Sequence, residues 1–291
     1  MNLNNFTIRL IIPICEDDEI INGYYSKQSM PDNFAIRKNI LKKSIEYEGD
    51  NIDLVITSNN YFTFSPSSIL KGNQFVEEYI LRELNYLTYK KPLIIGFDLI
   101  NNRIVFNPYR GISAMVCLIT VDDNNQYKYV THIWECWADK GNCDQSGFIE
   151  QNDRRLTDIN NNKICLLSCG DILSCCHDSG RNLPDANIYI SLAHMNFKKW
   201  SVSLKEKNKD ETNIQNWKNN CDIRVLVTQQ ISRTVFNKLD KNYFKKNNNL
   251  EYQLIWPVVN RHAQRLIMFD NDDNIVDESN DPKYMFIDIQ I

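Results

Sequence analysis

The stretch Lys163-Ile164-Cys165-Leu166-Leu167-Ser168-Cys169-Gly170-Asp171-Ile172 decides the fold expected of this chain. An apolar run ends in a cysteine, a glycine and an acidic residue follow, and the next segment can turn into a helix. That order puts a thiol at the tip of a buried strand, beside a helix N-terminus. Exposed helix N–H groups favour the thiolate. The same groups can hold a negatively charged oxygen in a transition state. Cys169 is therefore the candidate nucleophile, and the N–H of Gly170 a candidate oxyanion donor.

Outward from this stretch, the apolar pattern alternates between strand and helix periods. Upstream, a strand is expected over about Thr7 to Ile14. Asp32 can cap a helix to about Tyr47, with Phe34, Ile36, Ile40, Leu41 and Ile45 at helical spacing and Gly49 as a stop. Asp53 to Thr57 reads as a short buried strand, Asn73 to Tyr89 as a second helix, and Pro92 to Asp98, Ile112 to Val121 and Tyr127 to Trp134 as strands. Asp122-Asp123-Asn124-Asn125 is the hairpin turn between the last two. Downstream, Ile164 to Cys169 is a strand, Ile172 to His177 a helical segment, and Asn187 to Ser191 a strand. Further strands follow at Ile223 to Thr228, Tyr252 to Val259, Arg265 to Phe269 and Tyr284 to Ile291. The order strand, helix, strand, helix, strands thus occurs twice. No Pro/Gly/Ser linker divides the halves, so residues 1–291 are expected to form a single domain with internal pseudo-duplication. Lys205 to Asn220 and Lys241 to Asn249 read as surface insertions.

Bulk properties narrow the function classes. With 33 basic against 37 acidic residues the net charge is −4, which argues against general binding to nucleic acid or anionic membranes. The 43% hydrophobic content supports a sizeable core. No run is long enough to span a bilayer. Leu10-Ile11-Ile12-Pro13-Ile14 is short, lacks a basic lead and reads as a strand rather than a signal peptide. The nine cysteines are an odd number set largely in apolar runs, so a reducing cytoplasm is expected rather than a disulfide framework. The nine glycines form no phosphate-binding loop, and no cofactor is expected.

The Cys169 stretch resembles the nucleophile strand of the nitrilase, or carbon–nitrogen hydrolase, superfamily. Members carry an apolar strand, Cys, usually an aromatic residue, Asp or Glu, then a helix. Gly170 stands here in the aromatic position, and Asp171 fits the acidic one. About eighteen residues on, the family usually has a Gly-Ala-Asp turn into a strand, and here Asp185-Ala186-Asn187-Ile188 follows. The resemblance implies an α/β fold built as a four-layer α-β-β-α sandwich. It implies a Cys nucleophile, a Glu general base and a Lys that stabilises the oxyanion, acting on an amide or nitrile through a thioester. It also implies a homo-oligomer.

Carried over residue by residue, the resemblance is uneven. The family's Glu ends the strand after the first helix, and Asn59 occupies that place. An amide cannot accept a proton from a thiol at neutral pH. The family's Lys sits on the strand after a hairpin, where Lys128 lies. Counted from the turn instead, Thr131 or His132 takes the place. Glu135 follows at about the spacing of the family's second glutamate. His132, His177 or His194 are candidates to replace the base. Two functions follow: a divergent thiol amidohydrolase acting on a small amide, and a non-catalytic member that uses the old pocket for binding.

Other chemistries fit less well. Cys165 and Cys169 on one strand are about 13 Å apart and cannot share a zinc ion. Cys175-Cys176 and the set His132, Glu135, Cys136 and Cys143 match no zinc-ligand spacing, so no metal is expected. Metal-dependent phosphodiesterases of the exonuclease III type share a four-layer sandwich. This chain lacks their early Gln-Glu, and its Arg261-His262-Ala263 has no Asp before the histidine.

Overall fold

Thr7–Cys15 (β1) forms the centre of a large mixed sheet, because its apolar residues on both faces need cover on both sides. The structure is a computed structural model that describes residues 6–16, 20–21, 24–25, 30–59, 61–64, 76–85, 87–99, 114–139, 142–168, 171, 184–192, 224–228, 231–238, 263–277 and 279–290. Along the first half the sheet strands are β2 (Leu54–Ile56), β3 (Phe62–Phe64), β4 (Leu93–Leu99), β5 (Ala114–Val121) and β6 (Tyr127–Trp134). A second sheet is built from β7 (Leu156–Ile159), β8 (Asn162–Ser168), β9 (Ile188–Leu192) and β10 (Arg224–Thr228). The chain then returns to the first sheet with β11 (Ala263–Phe269), β12 (Ile275–Val276) and β13 (Tyr284–Gln290).

The large sheet runs in the order β12-β11-β13-β1-β2-β4-β5-β6, and the smaller one β7-β8-β9-β10. Strands β1, β2 and β4 are parallel neighbours, as are β8, β9 and β10. The doubled order of the sequence suggests that Arg265 to Phe269 and Tyr284 to Ile291 complete the second half. Instead they lie in the first sheet, where β13 pairs antiparallel with β1 from Thr7↔Gln290 to Pro13↔Tyr284. The other edge of β1 is taken by β2, so the C-terminal strand fills the remaining edge.

Strand alternation sorts the large sheet's side chains onto two cores. Ile8, Leu10, Leu54, Ile56, Ile94, Val116 and Ile133 pack against Ile164, Leu166, Ile188, Ile190 and Leu192 of the second sheet. The two sheets therefore lie face to face. Val55, Leu93, Ile95, Phe97, Met115 and Cys117 point the other way, against helix α1 (Met30–Glu46) and the wide-turned helix Val76–Leu81. Three layers are thus helix, sheet, sheet. The outer face of the second sheet, with Cys165, Leu167, Tyr189 and Ser191, is buried as well. The helical segment expected at Ile172 to His177 and the surface insertions expected at Lys205 to Asn220 and Lys241 to Asn249 lie outside the described residues, as does the strand expected at Tyr252 to Val259.

Helix α1 begins at Met30, two residues before the expected cap at Asp32. Pro31 fits the first turn, where its missing N–H has no intrahelical partner to lose. Ile36 is exposed rather than inward. The buried stripe runs through Arg37, Ile40, Leu41, Ser44 and Ile45, and Ile36 sits to one side of it. The hairpin turn at Asp122 forms as read, with its carboxylate accepting from the N–H groups of Asn124 and Gln126.

Candidate active site

The end of β2 departs from a simple strand end. Both β2 and β3 pair parallel with the same edge of β4, as Ile56↔Ile94 and then Phe62↔Phe97. Five residues, 57–61, therefore stand opposite only two, 95 and 96. The chain leaves the sheet, passes over Gly96 and rejoins it. A Cβ on Gly96 would lie 2.1 Å from the Asn59 carbonyl oxygen, 2.2 Å from Asn59 Cα and 2.2 Å from the Ser58 carbonyl oxygen. Only glycine permits that approach. Thr57 Oγ1 accepts from the Gly96 N–H at 3.1 Å and donates to the Ser58 carbonyl at 3.1 Å. The loop thus carries Asn59, fully buried, into the space between the sheets. There Asn59 Nδ2 donates to Ser168 Oγ at 2.9 Å. Asn59 touches the last residue of β8, the one immediately before Cys169. Cys169 and Gly170 themselves lie outside the described residues, as does His194.

Asp171 is fully buried and braces the same strand end. Its Oδ2 accepts from the Ser168 N–H at 3.2 Å and from Arg155 Nη1 at 2.9 Å, and its Oδ1 accepts from the Cys136 N–H at 3.1 Å. Burial pushes the Asp171 carboxyl up from its ordinary range, and Arg155 opposes the rise. From the sequence, Asp171 fits the acidic position that follows the family's cysteine. In the structure its oxygens are turned to backbone N–H groups and a guanidinium.

The elements between β6 and β8 hold the two strand ends together. Asp144 caps helix α2 (Gln145–Glu150) by accepting from the Gly147 N–H at 2.9 Å. Gln151 then clamps the end of β6. Its Oε1 accepts from the Trp134 N–H at 2.7 Å, and its Nε2 donates to the Trp134 carbonyl at 3.0 Å. Arg155 closes helix α3 (Asn152–Arg155) and supplies the guanidinium for Asp171.

Lys128 is not brought to this end. It is exposed and lies opposite Thr120, near the hairpin, whereas Trp134 lies opposite Met115. Strand β6 runs parallel to β4, so six residues separate Lys128 from the strand ends, about 20 Å at roughly 3.3 Å each. Thr131, the other position counted from the turn, donates its hydroxyl to the Arg154 carbonyl at 3.0 Å. His132 lies opposite Cys117 and shares a sheet face with Trp134, toward the helix layer. Its Nδ1 is 2.6 Å from Tyr129 Oη. Burial, with Arg154 adding to it, lowers the His132 pKa to about 4, so the ring is neutral at physiological pH.

Two further buried carboxylates stand at the strand ends. Glu135 follows β6 directly, and its N–H donates to the Ala114 carbonyl at 3.1 Å. Asp98 lies near the end of β4, opposite Ala114, on the same sheet face as Gly96. The two residues flank Ala114 on neighbouring strands, about 10 Å apart at roughly 4.8 Å per strand. The sequence reading missed Asp98. The signal was an acidic residue interrupting the apolar run Leu93 to Leu99.

Three described cysteines are held as unreactive thiols. Burial raises the thiols of Cys117 and Cys136, and pushes that of Cys165 up to about 12. Among the described residues, no group of three or more His, Cys, Asp or Glu is placed to hold a metal ion. No described helix is long and apolar enough to cross a membrane.

No family model matches the sequence, and no curated protein matches it. Solved structures do. A carbon–nitrogen hydrolase from Helicobacter pylori G27 is 11% identical over 98% of this chain and 89% of its own, with a TM-score of 0.47. A mutant of the Nesterenkonia AN1 amidase, from the nitrilase superfamily, is 9% identical over 98% and 92%, with a TM-score of 0.45. Saccharomyces cerevisiae Nit3, of the same superfamily, is 12% identical over 98% and 90%, with a TM-score of 0.39. The chain is similar in overall arrangement to carbon–nitrogen hydrolase, or nitrilase, superfamily structures and is widely diverged from them in sequence.

Proposed function

We propose that this protein is a divergent thiol-dependent amidohydrolase that cleaves a non-peptide C–N bond of a small amide, with Cys169 as nucleophile. The supporting observation is the convergence of three strand ends on the residue before Cys169. Asn59 from the end of β2 bonds Ser168, and Asp171 ties Ser168 to Cys136 beyond β6.

In this reading the thiolate adds to the amide carbon, and the oxygen's new charge is held by the Gly170 N–H. The C–N bond breaks, and the nitrogen leaves with the proton that the thiol gave up. Water then adds to the thioester, releasing the acid and restoring the thiol. Asn59 cannot carry that proton, His132 faces the helix layer, and Lys128 is at the far end. The buried carboxylates Glu135 and Asp98 are the groups suited to it. A homo-oligomer, by resemblance, and a cytoplasmic location, from the odd number of cysteines set in apolar runs, belong to the same proposal. The test is ammonia release from a broad panel of small amides and nitriles. The expected result is turnover of at least one compound, abolished in a folded Cys169→Ala variant. Turnover that survives Cys169→Ala, or none across the panel, contradicts the reading.

A second reading is supported by Asn59 in the place of the family's base and by Lys128 at the opposite end of β6. Both departures suit a non-catalytic protein that binds a small amide-like molecule in the same place. In that case the panel shows binding without ammonia release.

A further inference from the structure

His132 is buried and titratable, and the hydrolysis above gives it no step. It shares the helix-side face of β6 with Tyr129, although the two are three residues apart and simple alternation would set them on opposite faces. The pairing of β6 with β5 removes that conflict. Thr131 lies opposite Leu118 and Tyr129 opposite Ile119, so Val130 is an extra residue in β6. This bulge turns Tyr129 onto the face of His132. Cys117 and Ile119, which stand opposite His132 and Tyr129, point to the same face. Tyr129 Oη and His132 Nδ1 share a hydrogen bond of 2.6 Å, and the His132 ring meets Trp134 edge-on at 6.0 Å between centres. The three rings thus line the side of β6 that lies against the wide-turned helix Val76–Leu81.

The titratable and charged groups around the imidazole are Cys117 on β5, Tyr129 on β6, Arg154 on α3 and, acting on Tyr129, Glu77 on the wide-turned helix. Burial first, and the like charge of Arg154 second, oppose a second proton on the ring. Strand β6 is also well placed to yield. It ends the large sheet, and among the described strands only β5 pairs with it. Elsewhere it is held at Trp134 by the Gln151 side chain and at Thr131 by the Arg154 carbonyl.

We propose that His132 is an acid-sensitive latch on β6: neutral, it packs the strand against the helix layer, and carrying a proton it releases β6 while the two sheets stay together. Glu135 follows Trp134 directly, so it moves with the strand. The folded chain favours the neutral ring. The latch therefore holds in full above about pH 6.5, the ordinary histidine value, and weakens as the pH falls toward about 4.

The test is amide hydrogen exchange of the full chain, read by mass spectrometry at steps between about pH 7 and 4.5. Parent and His132→Gln are compared at each pH, so that the intrinsic pH dependence of exchange cancels. Protection of the peptide covering Tyr127–Trp134 should fall in the parent, relative to the variant, by up to about tenfold per pH unit below about 6.5. Peptides from β1 and β9 should keep theirs. Arg154→Glu retains the imidazole and offers its charge a carboxylate, so it should cut the parent's loss severalfold. A ratio that does not change with pH overturns the proposal. So does a loss equal across β1, β6 and β9, which marks unfolding of the whole chain rather than release of one strand. If His132→Gln does not fold, the parent is compared with Arg154→Glu alone, and equal losses in the two overturn it. The readout needs no turnover, so its failure and that of the hydrolytic reading are distinguishable.

Discussion

Gly96→Ala should cost about 3 kcal/mol or more of stability, at or above the upper end of ordinary overpacking. The reason is that the new methyl would meet only backbone. The Asn59 carbonyl oxygen at 2.1 Å, Asn59 Cα at 2.2 Å and the Ser58 carbonyl oxygen at 2.2 Å cannot rotate away as side chains can. The loop over Gly96 would have to lift. That would break the Gly96 N–H bond to Thr57 and withdraw Asn59 from Ser168. A displacement of about 1 Å at a reacting centre can cost about a hundredfold in rate, so any Cys169-dependent turnover should fall with it. Urea unfolding measures the first effect. A loss below about 1 kcal/mol would mean that the loop does not rest on Gly96 in solution.

Arg9→Met should be as damaging, for an electrostatic reason. Arg9 is fully buried on β1, where its Nε and Nη2 meet the Asp288 carboxylate at 2.7 and 2.8 Å. Its Nη1 donates to the Ser44 carbonyl at 2.9 Å and the Tyr47 carbonyl at 2.5 Å, at the C-terminal end of α1. One side chain thus ties the first strand to the last strand and to the helix layer. The guanidinium also lies 5.2 Å from the centre of the Phe286 ring. Removing it leaves a carboxylate and helix-end carbonyls without their donor, which typically costs about 3–5 kcal/mol. Arg9→Met combined with Asp288→Leu should recover much of that loss, because neither charge is then left alone. Chemical unfolding of the single and double variants gives the answer. A double variant no more stable than the single one would contradict this explanation.

Much of the sheet framework was legible because apolar runs are long and local. Tyr127 to Trp134, Asn187 to Ser191 and the C-terminal strand from Tyr284 lie within a residue or so of their observed bounds. Sheet membership was less legible. The pairing of β13 with β1 joins residues nearly the whole chain apart, and no local pattern in either strand specifies it. The short strands Phe62–Phe64 and Leu156–Ile159 went unseen, since three or four residues carry too little periodicity. At the site, the resemblance pointed to Asn59, and the structure sets that residue against Ser168. The sequence did not announce the device that puts it there. Gly96 looks like a lone glycine in a strand until the backbone crossing it is known. Arg155 likewise reads as half of an Arg-Arg pair in a polar segment, yet folding buries it completely. Lys128 shows the opposite error. It occupies the expected strand, but a strand has two ends, and type and approximate spacing alone did not choose between them.

The most direct measurement concerns the thiol itself. The intact protein is treated with limiting iodoacetamide near neutral pH, and each cysteine's rate is read by mass spectrometry. A functional thiol at the end of β8 should make Cys169 the fastest of the nine, well ahead of Cys117, whose burial holds it in the protonated, unreactive form. Labelling of Cys169 as slow as that of Cys117 would contradict a thiol site at this strand end.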